Sequence, residues 1–191
     1  MEPIILHGKY ITLESMSVSH LDGLCRAVRD GDLWEMGVTA IPDPDAMDTW
    51  IRDALSARES GTALPFTIVW NETNVVVGTT RFYNIDRENR RLEIGRTWVA
   101  QSWHKTAVNT EAKLLLLTHA FEAMQCIRVE FVTDVLNEKS FRALTRIGAK
   151  TEGVLRNHMI MKGGRYRDSY LLSIIESEWP PVKERLLQRL A

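Results

Sequence analysis

The sequence has few of the features that assign a chain to a specialised class of protein. It contains two cysteines, Cys25 and Cys126, which lie far apart and fit no metal-ligand spacing or disulfide framework. Lysine and arginine (24) nearly balance aspartate and glutamate (25), so no global field attracts nucleic acid or an anionic membrane. No apolar run approaches the ~18 residues that a membrane helix needs. We therefore expect two buried free thiols, no metal, no nucleic-acid partner and no membrane partner.

The composition itself is that of an ordinary globular protein. Hydrophobic residues make up 45% of the chain and charged residues 26%, which excludes disorder as the default state. Residues 1–6 show no basic segment followed by a long apolar run, and no repeat, low-complexity tract or linker divides the chain. A length of 191 residues suits one domain with a substantial core. The sequence predicts a single domain over residues 1–191, located in the cytoplasm.

Hydrophobic periodicity predicts the order of strands and helices. A strand at residues 10–16 precedes two helices, at 20–28 and 43–60. Three antiparallel strands, a helix, a strand, a second helix and a hairpin follow, at 66–70, 75–83, 92–99, 110–124, 127–134, 137–147 and on both sides of 162–164. This order predicts an α/β (α+β) fold with one mixed, mostly antiparallel sheet that is flanked by helices.

A strand that leads through a short loop into an apolar helix is the most informative segment. Such a connection gathers free backbone N–H groups at the positive end of the helix dipole, which suits a phosphate. We expect the helix to begin near residue 110, with added positive charge from the loop. An ordinary connection with a Thr or Asn cap explains the pattern equally simply, and the loop alone favours that alternative. The candidate binding residues are Trp98, Val99, His104, Lys105, Thr106, Ala107, Val108, Asn109 and Thr110.

A second segment follows the next predicted strand. Asn137 is a good helix N-cap, and Gly148 ends the helix that it opens. Ser140 lies one turn further along, so Asn137 and Ser140 can both face a ligand at the end of the strand. Capping alone remains the alternative for Asn137, and an ordinary surface serine is the alternative for Ser140.

Together these segments resemble the GNAT superfamily of acyl-CoA-dependent N-acyltransferases, in the branch of the ribosomal-protein-alanine N-acetyltransferases. The resemblance is strongest over residues 75–179. It includes the phosphate loop, Thr110-Glu111-Ala112, the Asn137, Ser140 and Gly148 pattern, and a tail from Glu152-Gly153 through Tyr166-Arg167-Asp168 to Glu178-Trp179. The resemblance implies transfer of an acetyl group from acetyl-CoA to the amine of a protein N-terminus or a small molecule. It also implies a homodimer as one oligomeric state.

The chain departs from the family pattern in two places. The family's phosphate loop usually has Gly and then Gly or Ala where this chain has Ala107 and Asn109. Ala107 fits if its backbone stays at negative φ, and Asn109 can cap the helix. The superfamily often has a Tyr seven residues after the Asn, as the acid for the leaving thiolate, and Leu144 stands there. These departures motivate an alternative function, a non-catalytic acyl-CoA-binding or interaction module.

The resemblance also implies catalytic roles. Glu93 lies on the strand that leads to the loop, where family members commonly have a carboxylate that takes the amine's proton through water. A strand glutamate on a polar face, or in an ion pair with Arg81 or Arg96, is an equally good interpretation. His158 is the second candidate base, because its ordinary pKa suits the task, although a lone strand histidine is more often structural.

Two further groups complete the expected site. The backbone N–H near Val99 is expected to polarise the thioester carbonyl, and Ser140 is the expected hydrogen-bond partner of the departing sulfur. Residues 31–45 and 157–165 are expected to line the acceptor pocket. They contain no pattern that identifies the acceptor.

Overall fold

The fold is organised around one eight-stranded sheet. The computed structural model describes residues 2–191, so Met1, the first residue of the predicted domain and N-terminal segment, lies outside the described part. The strand order is β1-β2-β3-β4-β5-β6-β8-β7. The strands are β1 Leu6–His7, β2 Ile11–Ser15, β3 Ala63–Trp70, β4 Val75–Asp86, β5 Arg91–Val99, β6 Arg128–Asp134, β7 Lys150–Ile160 and β8 Tyr166–Ile175. Neighbouring strands are antiparallel except β5 and β6, which run parallel. The predicted fold class is confirmed.

Helices cover both faces of the sheet. They are α1 Leu21–Arg29, α2 Met47–Glu59, α3 Ala107–Thr118, α4 Glu138–Ile147 and α5 Trp179–Gln188. Apolar residues of α1 and α2 form one core with Trp98 and Ala100, whereas α3, α4 and α5 share the larger core on the opposite face. Across the described chain, each helix is too short or too polar to cross a bilayer.

Most predicted elements are present, and three differences stand out. The short β1 and the C-terminal α5 were not predicted. Helix α3 begins at Ala107, three residues earlier than expected, because Thr106 is its N-cap. The Thr106 hydroxyl accepts from the Val108 N–H at 3.4 Å and donates to the Trp103 carbonyl at 2.7 Å. Asn109, the expected cap, therefore lies inside the first turn.

Strands β5 and β6 part soon after they meet. Their pairing extends from Arg91 to Glu93 only. Further along β5, Gly95 pairs with Arg81 of β4 and Trp98 pairs with Thr79, so β5 holds one more residue than β4 in this interval. That extra residue is a β-bulge, with a φ of 51° at Arg96. Because a bulge bends its strand, β5 turns away from β6 and a cleft opens between them.

A buried carboxylate attaches the start of the chain to α3. Glu111, 3% exposed, accepts hydrogen bonds from the backbone N–H groups of Lys9, Tyr10 and Ile11, each at 2.8 Å. A Cβ added at Gly8 would lie 2.6 Å from the Glu111 Cδ, so glycine leaves the space that the carboxylate occupies. Charge-assisted hydrogen bonds of this kind are stronger than neutral ones.

We expect Glu111→Ala to lower the free energy of unfolding by about 3–5 kcal/mol, because it leaves three backbone donors without their acceptor. Urea denaturation measures the change. Glu59→Ala, at the exposed end of α2, is the matched control and should change stability by less than about 0.5 kcal/mol. Equal stabilities of the two variants would contradict an anchoring role for Glu111.

Candidate active site

The cleft between β5 and β6 has a volume of about 1270 Å³. The first turn of α3 lines it, and so do Glu93 of β5, six residues before Val99, and its pairing partner Tyr83 of β4. Both segments that were expected to line an acceptor pocket contribute walls, through Leu33, Met36 and residues 38–41 on one side and His158 and Met159 on the other. The cleft also brings the loop before α3 together with the second segment singled out in the sequence, through Asn137 and Ser140.

The first turn of α3, where the sequence predicts a phosphate site, lies at the cleft. Thr106, Ala107, Asn109 and Thr110 line the cleft, whereas the Val108 side chain is buried in the core. The first N–H groups of a helix have no partner within it. Here the Val108 N–H makes the long bond to the cap, and the other N–H groups of this turn stay available as far as residues 2–191 show. The positive φ of this loop is at Lys105 (64°), so Ala107 is an ordinary helical residue.

The His104 side chain lies between the end of β5 and the start of α4. Its Nε2 lies 2.8 Å from the Val99 carbonyl oxygen, and its Nδ1 lies 3.0 Å from the Lys139 ammonium. A carbonyl only accepts and an ammonium only donates, so these two contacts match the tautomer that carries its hydrogen on Nε2. The positive charge beside the loop belongs to Lys139 of α4, together with Lys105.

The backbone of Val99 faces the open side of β5. Val99 is opposite Gly78 in the ladder, and the next N–H, of Ala100, donates to the Val77 carbonyl at 2.8 Å. This pattern makes Val99 and Gly78 a non-hydrogen-bonded pair, so the Val99 N–H points away from β4. Because β6 has already parted from β5, the N–H reaches the cleft, as expected of an oxyanion donor.

Glu93 lies in the cleft, at the last position where β5 pairs with β6. It is 5% exposed, and its carboxylate accepts from the Tyr83 hydroxyl and, at 2.9 Å, from the Asn84 side-chain amide. Burial raises the pKa of Glu93 above its usual value, against the opposing effect of these two donors. A Cβ at Gly95 would lie 2.8 Å from the Tyr83 ring, so the glycine allows that ring its position.

The predicted alternative of an ion pair does not hold for Glu93. Its two hydrogen-bond donors are the uncharged Tyr83 and Asn84. The Arg81 guanidinium instead lies 4.6 Å from the Trp50 ring centroid, and Arg96 makes no ion pair within residues 2–191.

Asn137 caps α4 as predicted, since its side-chain oxygen accepts from the Ser140 N–H at 3.0 Å. Both side chains line the cleft. The Asn137 amide nitrogen and the Ser140 hydroxyl form no hydrogen bond within the described chain, so both can serve a ligand. Leu144, at the position of the family's Tyr, also lines the cleft and offers no proton.

His158 lies on β7 at the edge of the cleft. Its Nδ1 is 3.1 Å from the Ser169 hydroxyl, and the same hydroxyl accepts from the Arg167 Nε at 2.8 Å. This chain of hydrogen bonds orients the imidazole, which is otherwise exposed to solvent. The structure thus places both candidate bases, Glu93 and His158, in one cleft.

Sequence reasoning missed Lys113 of α3. It is 6% exposed and lines the cleft, and its ammonium donates to the Thr97 hydroxyl at 3.1 Å without a carboxylate partner among residues 2–191. Burial lowers the pKa of Lys113 to about 8. The available signal was a charged residue within the apolar run of α3, between Ala112 and Leu116.

Known proteins resemble this chain along most of its length. Residues 11–150 match the acetyltransferase (GNAT) domain family. The uncharacterized N-acetyltransferase p20 of Bacillus licheniformis is 30% identical over 175 residues, 91% of this chain and 97% of p20. YdaF of Bacillus subtilis, provisionally named a ribosomal N-acetyltransferase, is 34% identical over 56% of this chain and 57% of its own. A GCN5-related N-acetyltransferase from Brucella melitensis superposes with a TM-score of 0.88 at 28% identity, over 100% of this chain and 87% of that one.

We expect Lys113→Met to raise the free energy of unfolding at pH 7 by about 1–3 kcal/mol, because a buried ammonium with a lowered pKa opposes folding. The unfolded chain binds more protons than the folded one between the folded pKa of about 8 and the ordinary value of about 10.4. The penalty is therefore complete below pH 8 and fades as the pH rises.

Urea denaturation at several pH values tests this prediction. The stability difference between Lys113→Met and wild type should shrink toward about pH 10. Lys162→Met, in the exposed β7–β8 turn, is the control and should show no such trend. A less stable Lys113→Met, or a difference that does not vary with pH, would contradict the prediction.

Proposed function

The chain belongs to the GNAT acetyltransferase family, and we propose that its cleft transfers the acetyl group of acetyl-CoA to a protein N-terminal amine or a small-molecule amine. N-acetyl transfer with acetyl-CoA as cosubstrate is the activity of this family. The observation that carries the proposal is the parting of β5 and β6 beside the N-terminus of α3. It joins an anion site to a buried carboxylate within one cleft.

The pyrophosphate of acetyl-CoA binds to the free N–H groups in the first turn of α3. Lys105 and Lys139 add positive charge beside them, and the dipole of α3 favours the same anion. Asn137 faces the pantetheine arm with its free amide nitrogen. Trp98 and Val99, at the end of β5, line the same path.

The acetyl group is transferred by direct attack. The neutral amine attacks the thioester carbon, the new N–C bond forms as the C–S bond breaks, and CoA leaves as a thiolate. The Val99 N–H stabilises the negative charge on the carbonyl oxygen. The amine's proton passes through water to Glu93, whose raised pKa makes it a better base than an ordinary glutamate.

The departing thiolate needs a partner other than a tyrosine. The Ser140 hydroxyl can donate a hydrogen bond to it. Lys113 is a stronger acid in the same cleft, because its pKa of about 8 lies close to the ordinary value of about 8.5 for a thiol. A protonated Lys113 therefore also stabilises the leaving group.

A non-catalytic acyl-CoA-binding module is the second candidate function. It is favoured by Leu144 in the place of the family's tyrosine. Thioester turnover with a panel of amines distinguishes the two functions. CoA release that depends on the amine supports the enzyme, whereas CoA binding without release supports the binding module.

The oligomeric state and the location of the protein stay predictions. The edge strand β7 is exposed along most of its length, and the unpaired backbone of an edge strand can pair with another chain. This exposure supports the homodimer that the resemblance implies. A cytoplasmic location remains the expectation from the sequence.

We expect Ala107→Asp to abolish measurable CoA binding, because it places a carboxylate at the anion site. The same carboxylate should leave the fold as stable as wild type or stabilise it by about 0.3–1 kcal/mol, since acidic residues favour a helix N-terminus. Calorimetry measures the affinity, and thermal unfolding measures the stability. Ala107→Asn has the same shape without the charge and should lose far less affinity. Equal affinity of Ala107→Asp and wild type would exclude this anion site.

We expect Glu93→Gln to lower kcat by roughly 10²-fold, with acetyl-CoA affinity nearly unchanged, because it removes the base and keeps the shape. The mutant's rate should recover at high pH, where more of the amine is neutral. The raised pKa of Glu93 should shift the acid limb of the wild-type kcat profile above the usual range of a glutamate.

The exposed turn variant Glu72→Gln is the control for Glu93→Gln. If Glu93→Gln matches wild type between about pH 6 and 9, the residue is structural and His158 or bulk water takes the proton.

A further inference from the structure

We propose that the acceptor carries a carboxylate within a few bonds of its amine, and that Arg96 and Arg167 bind this carboxylate. The inference rests on the proposed function, since it concerns the acceptor end of the same cleft. It goes further by naming the chemical class of the acceptor.

Arg167 and Glu93 lie on the same face of the sheet. In β8, Tyr170 packs on Phe141 of α4 with ring centroids 4.6 Å apart, and Leu172 belongs to the core under α3 and α4. Because side chains alternate along a strand, Arg167 points to the opposite face. Glu93 does the same in β5, since its neighbours Leu92 and Ile94 belong to that core.

Arg167 presents part of its guanidinium to the cleft. It is 8% exposed, and its Nε donates to Ser169. Its two terminal nitrogens make no hydrogen bond to the protein within residues 2–191, and the residue lines the cleft. A guanidinium held by Nε, with its other edge free, is arranged for a bidentate bond to a carboxylate.

Arg96 brings a second guanidinium to the same end. The bulge in β5 sets its position, with a φ of 51°, which is uncommon for a residue with a side chain. Arg96 lines the cleft and has no hydrogen-bond partner in the part of the chain that the structure describes. Repulsion from Arg96 contributes to the lowered pKa of Arg167, after the larger effect of burial.

Two carboxylates of the cleft offset these arginines only in part, since Glu93 attracts Arg96 and Asp134 attracts Arg167. Glu93 accepts from Tyr83 and Asn84, and Asp134 pairs with Arg165 at 2.5 Å. Arg81 adds a third positive charge beside Arg96, which contributes to lowering the pKa of Arg81 to about 10, after the larger effect of burial. Arg81, Arg96 and Arg167 therefore outnumber Glu93, the one carboxylate here that no arginine already pairs with among residues 2–191. An excess of positive charge at one end of a cleft favours an anionic ligand.

The phosphates of CoA are not that ligand. The N–H groups that bind the phosphates lie at the N-terminus of α3, which follows Val99 in the chain. Arg96 precedes Val99 by three residues, a separation of about 10 Å along a strand. The arginines lie near Glu93 instead, at the end where the amine loses its proton. A carboxylate there belongs to the acceptor and lies close to its amine. The α-carboxylate of an amino acid and an acidic side chain near a peptide N-terminus share this chemistry.

Matched pairs of acceptors test the inference. One arm compares free amino acids with their amides, and the other compares peptides that have Asp or Glu near the N-terminus with the Asn or Gln forms. We expect kcat/KM of wild type to favour the carboxylate form by at least about tenfold in one arm or both. The favoured arm identifies the source of the carboxylate.

Two variants assign the preference to the arginines. Arg96→Gln and Arg167→Lys should each reduce the ratio of kcat/KM for carboxylate and amide acceptors toward one, with the change mainly in KM. The ratio is insensitive to partial misfolding, because loss of active protein lowers both values equally. Arg87→Gln, in the exposed β4–β5 turn, is the control and should keep the wild-type ratio.

Two results would overturn the inference alone: acetyl transfer by wild type without preference for the carboxylate, or a preference that both arginine variants retain. Absence of transfer to any amine, with CoA bound, would overturn the proposed function and this inference with it.

Discussion

The site depends on one constraint, the short pairing of β5 with β6. The two parallel strands share three residue positions and then part, because β5 holds an extra residue at its bulge. Glu93 is at the last shared position, so it is buried beside the sheet yet reaches the cleft. Further along, the free edge of β5 exposes the Val99 N–H. A regular ladder would have paired that group with β6 and closed the cleft.

Helix α3 contains one residue that stabilises the fold and another that destabilises it. Its first turn offers free N–H groups to an anion, and Glu111 uses the next turn to attach the β1–β2 turn. Two residues later, Lys113 opposes folding because its ammonium is buried without a counter-ion. Stability lost at a functional position and regained nearby is common in enzymes. The strong Glu111 anchor lets the helix tolerate a charge in the cleft.

Local signals explain which parts of the fold the sequence predicts. The β-branched and aromatic residues of the strands β3 and β4 and the Asn137 cap with Gly148 are local signals, and the structure confirms the elements that they predict. Thr106 and Asn109 are both competent caps, and the choice of Thr106 follows from its hydrogen bond to Trp103, which local preference does not show. Helix α5 had a signal, since proline at its first positions is typical of a helix start.

Contacts distant in sequence explain the parts that could not be predicted. Glu111 meets Ile11 across 100 residues. The bulge at Arg96 has no local mark, because Arg96 and Thr97 fit a regular strand equally well. The sequence shows Lys113 as a charged residue next to a run of leucines. Its place in the cleft follows only from the separation of β5 and β6, which the sequence does not show. The site residues thus follow from topology more than from local pattern.

Burial of Glu93 and the positive charges near it both favour the proposed proton transfer from the amine to Glu93. In the proposed transfer, an amine with an ordinary pKa of about 8 gives its proton to Glu93, a carboxylate with an ordinary pKa of about 4.3, and this difference in pKa disfavours the step. Burial raises the pKa of Glu93, and this effect outweighs the opposing influence of Arg96. Arg81, Arg96 and Arg167 carry more positive charge than Glu93 and the proposed acceptor carboxylate together offset, and this excess disfavours the ammonium form of the acceptor. Both effects reduce the difference in pKa between the amine and Glu93, so the proposed transfer can proceed near neutral pH without a strong base.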